Sequence, residues 1–205
     1  MRTNSICRWL GVAAMLGLAF FFITSLALQF ARTDLDWYNT HLSFYLLGPY
    51  SGWLIGAYSA LAAAILCVGV GAYLALDAAT RRRLPLILFV VAAASVCVVA
   101  LAHTDTHETP GPTTHGIVHN VAALAAFLCV TFAMLLQSWG FRGDSRWRRH
   151  FTPAFVLAAG AFIALWFYGL WTALPRGASQ KFVILLIVLW LMLVSRWLTR
   201  LPPKA

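Results

Sequence analysis

Acidic side chains are scarce in this chain: 6 Asp and Glu stand against 15 Lys and Arg, and charged residues of both signs make up only 10% of its 205 positions. A soluble domain of this length needs far more polar surface, which excludes a soluble globular protein. Cysteine is also sparse. Cys7, Cys67, Cys97 and Cys129 stand singly in or beside apolar runs without CxxC spacing, so they read as small buried hydrophobes rather than a disulfide framework or a thiolate metal site. What fills the chain is apolar, 61% of residues, with a mean hydropathy of +0.80. These values define an all-α integral membrane protein.

The apolar runs predict a single domain, residues 1–205, built as a bundle of six transmembrane helices at about 9–30, 51–76, 84–103, 115–138, 153–174 and 180–199. Each is long enough to cross a ~30 Å hydrocarbon core at 1.5 Å per residue. The first run is too long for a signal-peptide core and is read as an uncleaved span. Between the first two spans, residues 31–50 are mixed polar and aromatic, and Trp37, Tyr38, Tyr45 and Tyr50 suit a segment lying along the membrane interface. Gly48, Gly52, Gly56, Ala60 and Ala64 recur every fourth residue, predicting a smooth stripe on the second span where another helix packs closely. Trp53, Trp139, Trp147, Trp166, Trp171 and Tyr168 read as interface anchors or packing groups rather than a cofactor box.

A net charge of +9 would suggest a nucleic-acid partner in a soluble protein, but here it is read by side of the membrane, and no nucleic acid is expected. Six spans place both termini and the connections near 77–84 and 140–152 on one side. That side holds twelve of the fifteen Lys and Arg and is read as cytoplasmic. The opposite side keeps only Arg32, Arg176 and Lys181, yet receives Asp34, Asp36, Asp105, Glu108 and five of the six histidines. In a bacterium this places the chain in the inner membrane with its histidines facing the periplasm. Contact of the arginines with membrane lipid headgroups follows.

The chemistry is concentrated in one stretch. His103, His107, His115 and His119 fall within seventeen residues, with Asp105 and Glu108 among them. The two pairs are each four residues apart, at the end of the third span and the start of the fourth, so each would lie on one helix face if the helices reach that far. Pro110-Gly111-Pro112 turns the chain between them. Four converging imidazoles would hold zinc or another transition metal, with Asp105 or Glu108 as an extra ligand, an outer partner or a base for bound water. His115 and His119 fall in or near the first turns of the fourth span, where the positive end of the helix dipole would disfavour imidazolium, so they are the more natural ligand pair. The alternative is that these histidines only hydrogen-bond to nearby acids and backbone. His41 and Ser43 lie on the same side, and a serine, an aspartate and three histidines are the parts used by zinc-dependent membrane lipid hydrolases of the alkaline ceramidase and adiponectin-receptor kind. Those proteins have seven spans with histidines on different helices, so this is an analogy of parts. Ser43 otherwise reads as a capping or interfacial serine.

Leu42-Ser-Phe-Tyr-Leu-Leu-Gly48-Pro-Tyr-Ser-Gly52-Trp53, Thr104-Asp105 and Gly116-Ile-Val-His119 resemble the six-span prokaryotic membrane family catalogued as domain of unknown function 998. The resemblance runs over nearly the whole chain. It implies that the recurring polar residues are Ser43, Asp105 and His119, and that His103, where the family has proline, His107 and His115 are departures. It implies no activity.

Three classes of function follow. The first is a metal-dependent hydrolase or transferase acting on a lipid or envelope substrate, with the four histidines on zinc and Asp105, Glu108 or Ser43 in the chemistry. The second is a non-enzymatic module that binds or transports a lipid, a metal ion or a partner. The third is a haem-binding redox protein using paired histidines as axial ligands, which is disfavoured because haems near both faces would be needed and His150 alone lies toward the cytoplasmic one.

Overall fold

The computed structural model describes residues 2–102, 104–105 and 111–201. Six helices carry the chain: α1 (Arg2–Ala31), α2 (Ser51–Ala75), α3 (Arg83–Leu101), α4 (Thr114–Gly143), α5 (Phe151–Leu170) and α6 (Arg176–Thr199). All six are long and apolar enough to cross a membrane, and no strand occurs among the described residues. In hydrocarbon every backbone N–H and C=O must be satisfied within the segment, and a helix does this. The ends differ from the hydropathy boundaries. α4 runs on to Gly143, so Arg142 belongs to its last turn rather than to a connection, and α5 stops at Leu170.

Each helix packs against its neighbours in the chain, α6 closes the ring against α1, and α2 also meets α6 across the middle. α1 begins and α6 ends at one end of the bundle, together with the α2–α3 and α4–α5 connections. This arginine end is tied by Asp144, which is 1% exposed and accepts the N–H groups of Asp77 and Arg146, each at 2.9 Å. Arg146 in turn donates to the Ala75 carbonyl at 2.6 Å.

The small-residue stripe on α2 is only half an interface. A Cβ on Gly17 of α1 would lie 2.8 Å from the Ala60 carbonyl oxygen and 3.4 Å from the Ala64 Cβ, so backbone meets backbone at that level. Gly52 has nothing within 4 Å, and Gly56 has only a Phe20 ring carbon at 3.9 Å. Helical spacing suggested five residues on one face, but Gly48 precedes α2 with a left-handed φ of 75°, and α1 contacts only the deeper part of the remaining stripe. Gly17→Leu is therefore expected to lower the melting temperature in detergent, by an overpacking cost of about 1–3 kcal/mol. Gly52→Leu should leave it unchanged. Equal losses in the two variants would contradict this packing.

At the opposite, histidine end, the aromatics of the segment between α1 and α2 are not equivalent. The segment folds onto the bundle. Tyr45 is fully buried within the short 3-10 helix Leu42–Leu46, while Trp37, Tyr38 and Tyr50 remain exposed. The cause is a set of polar contacts between residues distant in sequence. Arg32, 6% exposed, grips Asp34 with two hydrogen bonds of 2.8 and 2.7 Å and donates to the Leu47 carbonyl at 2.6 Å. Lys181 donates to the carbonyls of Trp37 and Thr40, at 2.5 and 2.9 Å, and the Ala178 N–H reaches the Tyr38 carbonyl at 2.8 Å. Gly177 permits this approach, because a Cβ there would collide with the backbone of Thr40.

Candidate functional site

The N-terminus of α4 is built before any chemistry is added to it. The Thr113 side chain caps the helix by accepting the Gly116 N–H at 3.0 Å. Asp105 secures that cap. One carboxylate oxygen accepts the Thr113 N–H at 3.0 Å and the other accepts the Thr113 hydroxyl at 2.5 Å. These two bonds hold the carboxyl below the usual carboxylate range. Gly116 leaves room for the arrangement, since a Cβ there would occupy the space of the Asp105 carboxylate.

One turn further along α4, His119 is 3% exposed, and its Nδ1 lies 2.8 Å from the Ala102 carbonyl at the end of α3. A carbonyl only accepts, so Nδ1 carries the proton and Nε2 is left as the basic nitrogen. His115, in the first turn, is exposed rather than buried beside it. His103, His107 and Glu108 lie outside the described residues. α3 ends at Leu101, and Thr104 and Asp105 are not helical, so Asp105 belongs to a connection rather than to a helix face. Among the described residues no group of three or more His, Cys, Asp or Glu comes together as a metal site.

Ser43, in the 3-10 helix, faces the same space as His119. Together with Asp105, His41, Asn120 and Arg176 they line a groove of about 910 Å³ at the histidine end. His41 is half-buried against Phe44 and Tyr168, and its Nε2 has no hydrogen-bond partner. Burial, followed by the charges of Arg176 and Lys181, pushes its pKa below the ordinary histidine value, so it is neutral at neutral pH. Arg176 itself is held over the Tyr168 ring at 4.6 Å and donates to the Tyr168 carbonyl at 2.7 Å.

Beneath the groove is a second, smaller cavity of about 80 Å³ among α2, α3, α4 and α6, lined chiefly by apolar side chains such as Leu61, Ile65, Val96, Val130 and Ile187. Ser43, His119, Ala123, Phe127 and Gln180 line both spaces. The lining of the inner cavity runs from His119 to Val130 on α4, roughly 16 Å of helix. The structure thus brings Ser43, Asp105 and His119 to one groove, where the Asp105 carboxylate holds the capping Thr113.

Gln180 was missed in the sequence. It is 9% exposed, accepts the Leu42 N–H at 2.8 Å and forms part of the wall common to both spaces. An amide inside an apolar span carries a desolvation cost unless it is partnered, and that was the available signal.

The Asp105 cap has a pH signature. A depressed carboxylate pKa stabilises the fold above its unfolded value, about 3.9, and that contribution is lost as pH falls through the lower folded value. Asp105→Ala should therefore melt below wild type at neutral pH, and the gap should close in strong acid. Gly116→Ala should reproduce the neutral-pH loss by displacing the same carboxylate. A gap independent of pH would show that the cap is not electrostatic.

Six apolar helices closed around a groove of mixed polar and apolar lining and a deeper apolar cavity make this an integral membrane protein with a ligand-sized chamber at one end. Over residues 15–197 the chain matches the family described as protein of unknown function (DUF998), and it belongs to that family. No curated protein and no solved structure matches it.

Proposed function

We propose that the chain binds an amphiphilic, lipid-like molecule at its histidine end, with the polar head in the groove and an apolar portion in the cavity beneath. The observation that carries this reading is the common wall of Ser43, His119, Ala123, Phe127 and Gln180, which joins a groove bearing His41, Asp105, Asn120 and Arg176 among apolar side chains to a cavity lined almost wholly by apolar ones. Ligand pockets are mostly apolar with a few placed polar groups, and this pairing has that character. The arginine distribution supports an orientation in the cytoplasmic membrane with the groove facing the periplasm or cell exterior. The substrate class is then a lipid or envelope component.

The test is a thermal-shift series with amphiphiles of one headgroup and increasing chain length. Wild type should be stabilised increasingly until the cavity is filled. Ala126→Phe, which fills the cavity from α4, should remove the dependence on chain length while the protein stays folded. An identical series in both proteins would sink the reading.

A second reading rests on the His119 tautomer. With Nδ1 committed to the Ala102 carbonyl, Nε2 is placed to take a proton from the Ser43 hydroxyl or from water, as a metal-dependent or metal-free hydrolase or transferase requires. A histidine that ligates a metal is oriented by the same kind of backbone bond, so zinc or another transition metal at Nε2, with His115 and the two histidines outside the described residues, belongs to this reading. Elemental analysis of protein without a histidine tag decides the metal: a stoichiometric transition ion supports it, and none removes it. Turnover of an ester amphiphile lost in Ser43→Ala would support hydrolysis, and its retention would rule out Ser43 as nucleophile.

A further inference from the structure

The arginine end contains a second cavity that the groove does not use. It measures about 300 Å³, at the lower edge of the ~300–1,000 Å³ typical of ligand sites, and lies between the α4–α5 connection and the last turns of α6. Arg146, Arg149, Arg196 and Arg200 line it, with His150 and the Trp197 ring stacked at 4.2 Å, and among the described residues no acidic one lines it. Four arginines in one wall repel each other unless an anion lies between them. Asp77 and Asp144 compensate only Arg146, from outside the cavity.

A second, independent observation points to a ligand. Trp147 is 1% exposed and lines the cavity, yet its indole N–H has no hydrogen-bond partner. Arg146 Nη1 is likewise buried and unpartnered. Buried donors without acceptors are costly, and an indole or guanidinium nitrogen can only donate. The missing species is therefore an acceptor, and the surrounding charge makes it an anion. The planar arginine fork matches phosphate oxygens. Leu193, Leu201 and the Trp197 ring supply an apolar border beside the charges.

We propose that this cavity binds a phosphate group, with Arg146 Nη1 and the Trp147 N–H as its buried donors and Arg149, Arg196 and Arg200 as its outer charges. The same chemistry is offered by the phosphodiester of an anionic phospholipid and by a soluble phosphate.

The experiment uses the whole chain in detergent, with Arg196→Gln/Arg200→Gln as the test variant, since both side chains are exposed and neither holds the fold. Arg82→Gln/Arg83→Gln, at the same end but away from the cavity, is the control. One arm titrates phosphatidylglycerol against phosphatidylcholine by native mass spectrometry, and the other titrates inorganic phosphate by thermal shift. Saturable binding in the first arm identifies a lipid phosphodiester, and in the second a soluble phosphate. In either case the test variant should bind on the order of tenfold or more weakly, and the control should match wild type. No saturable binding in either arm, or equal weakening in both variants, would overturn the proposal. Trp147→Phe, which removes the donor along with part of a buried indole, should lower the melting temperature of the ligand-free protein and also weaken binding in the same arm, and unchanged affinity in the folded variant would remove the indole from the site.

Discussion

His119→Ala is expected to give the largest loss of both stability and ligand binding. The imidazole is 3% exposed, stands in the wall between groove and cavity, and satisfies the Ala102 carbonyl where α3 ends. Truncation leaves that carbonyl without its partner and opens a void, each a cost of about 1–3 kcal/mol, so a combined loss of roughly 2–6 kcal/mol is expected. His119→Asn separates the two roles. Its side-chain amide reproduces the Nδ1 donor but offers nothing at Nε2. Near wild-type melting with lost turnover would mark Nε2 as chemical, whereas recovery of stability and of amphiphile binding alike would mark His119 as a tie between α3 and α4. Thermal melts and amphiphile titrations of the two variants check this.

The second large effect concerns Gly177. A Cβ at this position would run into the Thr40 backbone, which cannot rotate aside as a side chain can. Gly177→Ala must therefore push the α1–α2 segment off the start of α6, loosening Ala178 N–H to Tyr38, Leu42 N–H to Gln180 and the Lys181 contacts at once. An overpacking cost at the upper part of the usual range, about 3 kcal/mol, is expected. Because His41 and Ser43 travel with the segment, amphiphile affinity should fall with the melting temperature. Undiminished affinity in a destabilised Gly177→Ala protein would mean that the segment is not part of the binding wall.

What the sequence revealed depended on the range of the interaction. The six helices follow from runs of apolar residues, because in lipid the length and hydrophobicity of a segment nearly determine its structure. The contacts between helices were less visible. Four-residue spacing identified the α2 stripe, yet only Gly17 on another helix decides that Ala60 and Ala64 are packed while Gly52 is bare. Trp37, Tyr38, Tyr45 and Tyr50 looked alike as interfacial aromatics. Tyr45 is buried because Arg32 and Lys181 pull its segment inward through backbone carbonyls far away in the chain.

Those two cations, with Arg176, are also the only Lys and Arg at the histidine end. Each is engaged with backbone oxygen, so their presence reflects local construction and leaves the charge asymmetry of the bundle intact. The resemblance to the family singled out Ser43, Asp105 and His119, and the structure gathers them at one groove with different roles. Asp105 reads in sequence as a base or ligand, and the structure adds two bonds by which it holds the capping Thr113. Spacing could suggest that these residues were near one another; it could not say which hydrogen bonds each would choose.

The central claim, an amphiphile seated with its apolar part inside the bundle, is tested most directly by photocrosslinking in membranes. A single-chain amphiphile carrying a diazirine near the end of its chain would be irradiated with the wild-type protein, and the labelled residues mapped by peptide mass spectrometry. The expected labels fall on the cavity wall, on Ala126 and Val130 of α4 and Ile184 and Ile187 of α6, and decline when unlabelled amphiphile competes. Labels confined to outward-facing side chains such as Leu16, Ile23 and Val121, and insensitive to competitor, would contradict it.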